Sequence, residues 1–366
     1  MGSRQALLGS VLAVVAAAAC SPGVGSTANA EGGNGGDGEG ASGATTGSFN
    51  FGGGGSTSSG VSNCTDPGCV GSSPQGNCDM GLTLDSADAM DGARAIGLCA
   101  VSDGTSWGVK SAEWTRSDGL PLSGLLNDGK GILGDFGTLT PREGNKLLVL
   151  SSGAARDPGD PGFQDPSGYQ KDYDLFDPFA SIHGAPPGFP KESPACPGVM
   201  SGDPYDSAAL RLVIKSPTDA KSFSFNFNFY TYEYPGFICS TYNDFFLAML
   251  TPKPADLVDG NVSFDPQGNN ISVNAGFLDV CAPGTYGGKT FACSQGTAEL
   301  SGTGFEPSAA TGWLETKAPI DAPGSDITLH FMIFDVGDAV LDSTVLIDNF
   351  KFESDGTTTG TTPVPQ

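Results

Sequence analysis

Residues Ser222 to Tyr230 place Phe223, Phe225, Phe227 and Phe229 at every second position, with Ser224, Asn226 and Asn228 between them. A period of two sends alternate side chains to opposite sides of an extended chain, so four phenyl rings share one face. Only a sheet with an apolar layer beneath it can bury them. The reading is a half-solvated antiparallel strand. Asp326 to Phe334 repeats the pattern with Ile327, Leu329, Phe331 and Ile333 facing inward, which leaves His330 on the other face as a solvent-facing or sheet-packed residue. Lys146 to Ser151, Ala208 to Lys215, Asn243 to Leu250, Asn270 to Val280 and Ser343 to Phe352 read as further strands bounded by turn residues. One helix is expected, starting near Asp85-Ser86 and running to Ile96 before Gly97. The fold class that follows is mainly all-β: an antiparallel, jelly-roll-like β-sandwich with one short N-terminal helix and long loops.

The first residues do not belong to that fold. Arg4 precedes an apolar run from Ala6 to Ala19, too short to span a bilayer and built like a signal peptide. Ala17-Ala18-Ala19-Cys20-Ser21 resembles a lipobox, in which cleavage leaves a lipid-modified Cys20. Several acyl chains there would hold the chain on a membrane, at about 0.8 kcal/mol per buried methylene. Residues 20–62 then read as the lipidated Cys and a Gly- and Ser-rich tether, whose root-mean-square span is about 35 to 40 Å. Residues 1–19 are the signal, 63–77 a Cys-containing linker, 78–353 the folded domain and 354–366 a disordered tail. The partner of the N-terminus is therefore a membrane, and the location is outside the cytoplasm, at the outer membrane or cell surface.

Setting Cys20 aside leaves eight of the nine cysteines. An even number in an exported chain points to disulfides. Local spacing suggests Cys64–Cys69, Cys78–Cys99 and Cys281–Cys293, and Cys196–Cys239 follows by elimination. Zinc is disfavoured by the absence of paired C-x-x-C spacing, with only His183 and His330 to assist. A net charge of −24, from 41 acidic and 17 basic residues, argues against nucleic acid as a partner.

Acidic and amide residues recur where strands meet loops. Glu233 follows the Phe-rich strand, Asn243 and Asp244 open the next, and Asp335, Asp338 and Asp342 span the turn between the last two strands. Loop-borne oxygens of this kind suit Ca²⁺, which takes six to eight oxygen ligands in flexible geometry. The same aspartates can instead simply build the turn, with Gly337 at its permissive position. Asp348-Asn349 interrupts the final strand and reads first as structural, accepting hydrogen bonds at a sheet end, and second as a metal ligand. The long Pro-, Gly- and Asp-rich stretch from Gly153 to Gly202 is expected to pack over the sandwich and to offer a ligand surface around Tyr173, His183 and Phe189.

Catalytic patterns are sparse. No G-x-S-x-G elbow or phosphate-binding glycine motif stands at a strand–helix junction. A glycosidase pair could be drawn only arbitrarily, from Glu233 with Glu315 or Asp244.

Taken in order, Asp91-Gly-Ala-Arg-Ala-Ile-Gly-Leu-Cys99, Ser106-Trp107-Gly108, Leu148 to Ala155, Tyr232-Glu233-Tyr234, Tyr242-Asn243-Asp244-Phe245-Phe246 and Asp335-x-Gly-Asp338 with Leu341-Asp342-Ser343 resemble the choice-of-anchor L domain family. The resemblance covers about Cys78 to Glu353. It implies an extracellular β-sandwich without established catalytic activity, anchored here through Cys20. Many such domains carry a longer acidic string near Asn243-Asp244 than this chain does. The Gly- and Ser-rich leader is similar to those of myxobacterial lipoproteins. The function expected is a surface module that binds or adheres to an extracellular glycan, matrix polymer or protein. The alternatives are a secreted carboxylate-dependent hydrolase and a purely structural envelope or matrix component.

Overall fold

A computed structural model describes residues 78–171, 184–274 and 276–365. The signal, the tether, Cys20, the Cys64–Cys69 pair, Tyr173 and His183 lie outside the described residues.

The described chain holds fourteen strands: β1 (Gly108–Thr115), β2 (Lys130–Leu133), β3 (Leu147–Ser151), β4 (Pro204–Lys215), β5 (Ser222–Thr231), β6 (Phe245–Thr251), β7 (Ile271–Ser272), β8 (Gly284–Tyr286), β9 (Lys289–Phe291), β10 (Ala309–Ala310), β11 (Leu314–Pro319), β12 (Asp326–Val336), β13 (Ser343–Glu353) and β14 (Gly360–Pro363). One sheet has the order β1-β4-β12-β6-β7 and the other β14-β11-β5-β13-β3-β2, with β10 beside β5. Every strand pair in both is antiparallel. The fold is an antiparallel β-sandwich.

The core lies between the sheets. The four phenylalanines of β5 meet Leu329, Phe331 and Ile333 of β12, Leu210 and Leu212 of β4, and Phe246 and Leu250 of β6. Phe225 meets Phe331 edge-on at 4.9 Å and Phe227 meets Phe246 at 4.8 Å between ring centroids. Each such ring contributes about 1.5–3 kcal/mol when fully buried. The even-numbered side of β5 differs from the expectation of a solvated face, because all ten residues of the strand are buried. It is a central strand, and a second apolar layer of Leu147, Val149, Tyr230, Leu346, Phe136 and Phe305 covers its sheet from outside. Buried amides must then find partners. Asn228 Nδ2 and the Tyr230 hydroxyl both donate to Glu299 Oε1, at 2.7 and 2.9 Å, and Asn349 Nδ2 donates to Asn226 Oδ1 at 2.7 Å.

The helix α1 (Ala89–Ala95) begins later than expected, because Asp88 rather than Asp85 caps it and accepts from Met90 N. Gly97 ends it at φ +92°. Cys78–Cys99 ties its exit, and Cys196–Cys239 and Cys281–Cys293 are formed as well. The stretch from Asn270 to Val280 contains only the two-residue β7, since Asn274 and its neighbours turn to hydrogen-bond Asn243 and Cys239. The C-terminal residues expected to be a disordered tail supply β14, an edge strand on β11 in which Thr361 is buried and Thr316 and Thr361 hydroxyls meet at 2.8 Å. Asp348 has the structural role expected: it accepts from Arg142 N and Glu143 N at 2.6 and 3.1 Å, at a bulge in β13 where Asn349 takes φ +58°.

Candidate functional site

Topology gathers the acidic residues at one end of the sandwich. There β5 ends and β13 begins, with Thr231 opposite Ser343, while β12 ends and β6 begins, with Phe334 opposite Phe245. The segments 232–244 and 337–342 both cross between the two sheets at this end. Short bonds fix the crossovers. Asn243 N donates to Val336 O at 3.3 Å, Val336 N to Asp244 Oδ1 at 3.1 Å, and Tyr232 N to Asp342 O at 2.9 Å. Gly337, at φ +126°, is needed because the Tyr242 ring fills the place of a side chain there.

Glu233, Asp244, Asp335 and Asp342 are sealed by this arrangement, each no more than 2% exposed. Turn chemistry accounts for part of their oxygen. Asp335 Oδ1 accepts from Ala339 N at 3.1 Å, and Asp244 Oδ1 is taken by Val336 N. Among the described residues, Oδ2 of Asp244, Asp335 and Asp342 and Oε2 of Glu233 have no hydrogen-bond partner in ordinary geometry, though the neighbouring Ser343 hydroxyl favours the Asp244 carboxylate. An unpartnered buried carboxylate oxygen is costly, and burial accordingly pushes all four carboxyls well above the ordinary carboxylate range. Each also feels the others: Asp244 and Asp335 raise Glu233, and Asp342 raises Asp244. Asp338 is half-buried at the rim, and burial raises it too.

Two members of the group were not marked by the sequence pattern. Asp206, buried on β4 at φ +45°, lies beside the irregularity in the β4–β12 register, where Asp335 faces Tyr205. Lys171 is buried and donates from Nζ to Ser151 O at 3.1 Å, and its backbone N–H reaches Asp206 Oδ2 at 3.4 Å. Burial lowers the Lys171 ammonium, against the opposing pull of Asp206, Asp342, Asp128 and Asp335. It is a positive charge set into an acidic interior. A lysine set among the aspartates after Gly153 was the available signal, but its spacing says nothing of burial.

Two more of the expected site residues lie in the described structure. Asn243 is buried with the group; its Oδ1 accepts from Asn274 N at 3.1 Å, and its NH₂ has no partner among the described residues. Phe189 is half-buried on the outer face of the β4–β12–β6 sheet, edge-on to Phe245 at 6.5 Å and with Lys191 Nζ 4.5 Å from its ring centroid. Its ring is used in packing the loop down. His330 faces the outside of that same sheet and its Nε2 shares a 2.8 Å hydrogen bond with Thr115 Oγ1. Glu315 pairs with Lys317 at 3.6 Å on β11, away from the acidic end.

Among the described residues, no three Asp, Glu, His or Cys side chains are drawn together closely enough to form a coordination shell as they stand. The donor chemistry is nevertheless hard oxygen throughout, with no imidazole or thiolate among it.

No family model matches the chain, and no curated protein matches it either. Among solved structures it is similar to the K2 cleaved adhesin domain of Lys-gingipain, at 15% identity and a TM-score of 0.27, over 68% of this chain and 93% of that one. It is also similar to a carbohydrate-binding module described for specific mannan recognition, at 10% identity and a TM-score of 0.25, over 74% of this chain and 93% of that one.

Proposed function

We propose that the chain is a lipid-anchored extracellular binding module, in which a disulfide-bonded β-sandwich presents a ligand surface and Ca²⁺ braces the acidic end. One observation carries the cation: four sealed carboxylates, each with an oxygen unpartnered among the described residues, at the point where both sheet crossovers meet. Glu233, Asp244, Asp335 and Asp342 would supply those oxygens, with Asp338 closing the rim and Asp206 behind. A bound divalent ion would draw the side chains inward and compensate charges that are otherwise held off by protonation. Three disulfides support an oxidising compartment. The lipobox-like sequence at Cys20 and the resemblance to choice-of-anchor L domains support a surface location and a binding or adhesive role.

Thermal unfolding of the intact oxidised chain in excess Ca²⁺ and then in chelator tests the brace. An ion bound only by the folded state raises stability by about 2.7 kcal/mol at a hundred times its dissociation constant. A rise in midpoint that disappears in Asp244→Asn and Asp342→Asn supports the reading, and an unchanged midpoint sinks it. For the anchor, incorporation of a labelled fatty acid in cells, lost in Cys20→Ser, is the expected result. Equal labelling of the two chains would remove Cys20 as the lipid site.

A further inference from the structure

A separate cleft of about 760 Å³ opens between the approach to α1, the edge strand β1 and the loop before β2. Its volume falls within the range of about 300–1,000 Å³ for small-ligand sites. Trp114, partly buried against the core, lines it together with Asp85, Asp88, Glu113, Asp128 and Lys130. The indole is held in place: a β-carbon at Gly92 would lie 2.8 Å from its Cη2, and Lys130 Nζ lies 5.2 Å from its ring centroid.

The charges of this wall are balanced from behind. Asp85 pairs with Arg156, Asp88 with Arg94 at 3.7 Å, and Glu113 with Arg211 at 2.9 Å. Asp128 accepts from the Tyr169 hydroxyl at 2.7 Å, and Lys130 Nζ donates to Ser86 O at 2.9 Å. Arg94 is shared with Asp91 at 2.5 Å, so five carboxylates stand against three guanidiniums and one ammonium, a site far closer to balance than a chain of net charge −24. A cationic ligand meets carboxylates that, Asp128 apart, already face a guanidinium, and an anion meets four carboxylates on the wall. What remains is a ring of oriented acceptors beside an aromatic surface, with Pro121 and Leu122 as apolar neighbours. Such a site matches a neutral polyol, whose hydroxyls donate to carboxylates and whose C–H face rests on apolar surface.

We propose that this cleft binds a neutral glycan and takes it as a short segment of a longer chain. The proposal rests on the reading of the domain as an extracellular binding module and is independent of the calcium brace. Affinity electrophoresis of the intact oxidised chain through gels containing mannan, xylan, β-glucan or starch, with alginate as the anionic control, tests it. Retardation by at least one neutral polysaccharide, weakened at least tenfold in Trp114→Ala and in the surface variant Asn127→Ala, is the expected result. Asn127 is exposed on the cleft wall, so its loss does not endanger folding. No retardation by any neutral polysaccharide overturns the proposal, as does retardation by alginate alone. Retardation that survives both substitutions also overturns the cleft, while leaving the binding-module reading intact. Calcium-dependent melting, read separately on the same preparation, reports on the brace alone.

Discussion

The Asp342 carboxylate occupies the space where a β-carbon on Gly153 would stand. Gly153 follows β3 and Asp342 precedes β13, two strands paired from Ser151 opposite Thr344. Any side chain at 153 must therefore displace the carboxylate or part the strands. Gly153→Ala is expected to lower stability by about 1–3 kcal/mol. Removing the obstructing carboxylate in Gly153→Ala/Asp342→Ala should recover much of that loss, and a double-mutant cycle by denaturant unfolding measures the coupling. Additive effects would mean that the two residues do not compete for the same space.

The buried carboxyls have a definite pH signature. Burial raises Glu233, Asp244, Asp335 and Asp342 above their ordinary values, so between those values and the raised ones the folded state keeps protons that the unfolded chain has released. Their favourable contribution is present at acid pH and is lost as pH rises through the folded values. Asp348, raised to about 7 by burial, acts in the same direction. In chelator at pH 8, Asp335→Asn, which mimics the protonated acid, is expected to melt above the parent chain. In excess Ca²⁺ the order should reverse, because the variant loses a charged ligand. Thermal scans in the two buffers decide, and an unchanged order contradicts the brace.

His330 titrates the opposite way. Burial, with Arg211 nearby, lowers it to about 4, so the folded sheet favours the neutral ring. That preference stabilises the fold above the ordinary histidine value and is lost as pH falls from about 6.5 towards 4. His330→Asn should reduce the stability difference between pH 7 and pH 4 by roughly 2–3 kcal/mol, measured by urea unfolding at each pH. An identical pH dependence in variant and parent would show that His330 is already free to protonate.

The last strand gives a simpler test. Ending the chain after Asp355 removes β14, exposes the β11 edge and leaves Thr316 without its Thr361 partner. A loss of about 1–2 kcal/mol is expected, with added self-association from the open edge, visible by light scattering. A truncated chain as stable and as monomeric as the parent would make β14 dispensable.

Alternation alone specified much of this molecule. The period-two phenylalanines of β5 and the apolar alternation of β12 fixed which side chains face the core, because strand geometry permits only two faces. Cysteine spacing anticipated Cys78–Cys99 and Cys281–Cys293, elimination gave Cys196–Cys239, and the loop-end positions of Glu233, Asp244, Asp335 and Asp342 were legible because acidic residues interrupt runs that otherwise build strands. Burial on the second face was not legible. Ser224, Asn226 and Asn228 read as solvated until Glu299, Asn349 and Glu353, distant in sequence, arrive to satisfy them. The same holds at the acidic end, where Asp206 on β4 and Lys171, bonded to Ser151 and Asp206, join the carboxylates, and where Asn243 meets Asn274. The Trp114 cleft likewise joins segments 85–89, 112–122 and 127–130, and no local pattern marks it. Side-chain direction follows from covalent geometry and the order of residues along a strand. Which polar groups are sealed together, and so which are costly enough to demand a proton, a partner or an ion, depends on contacts between segments far apart in the chain.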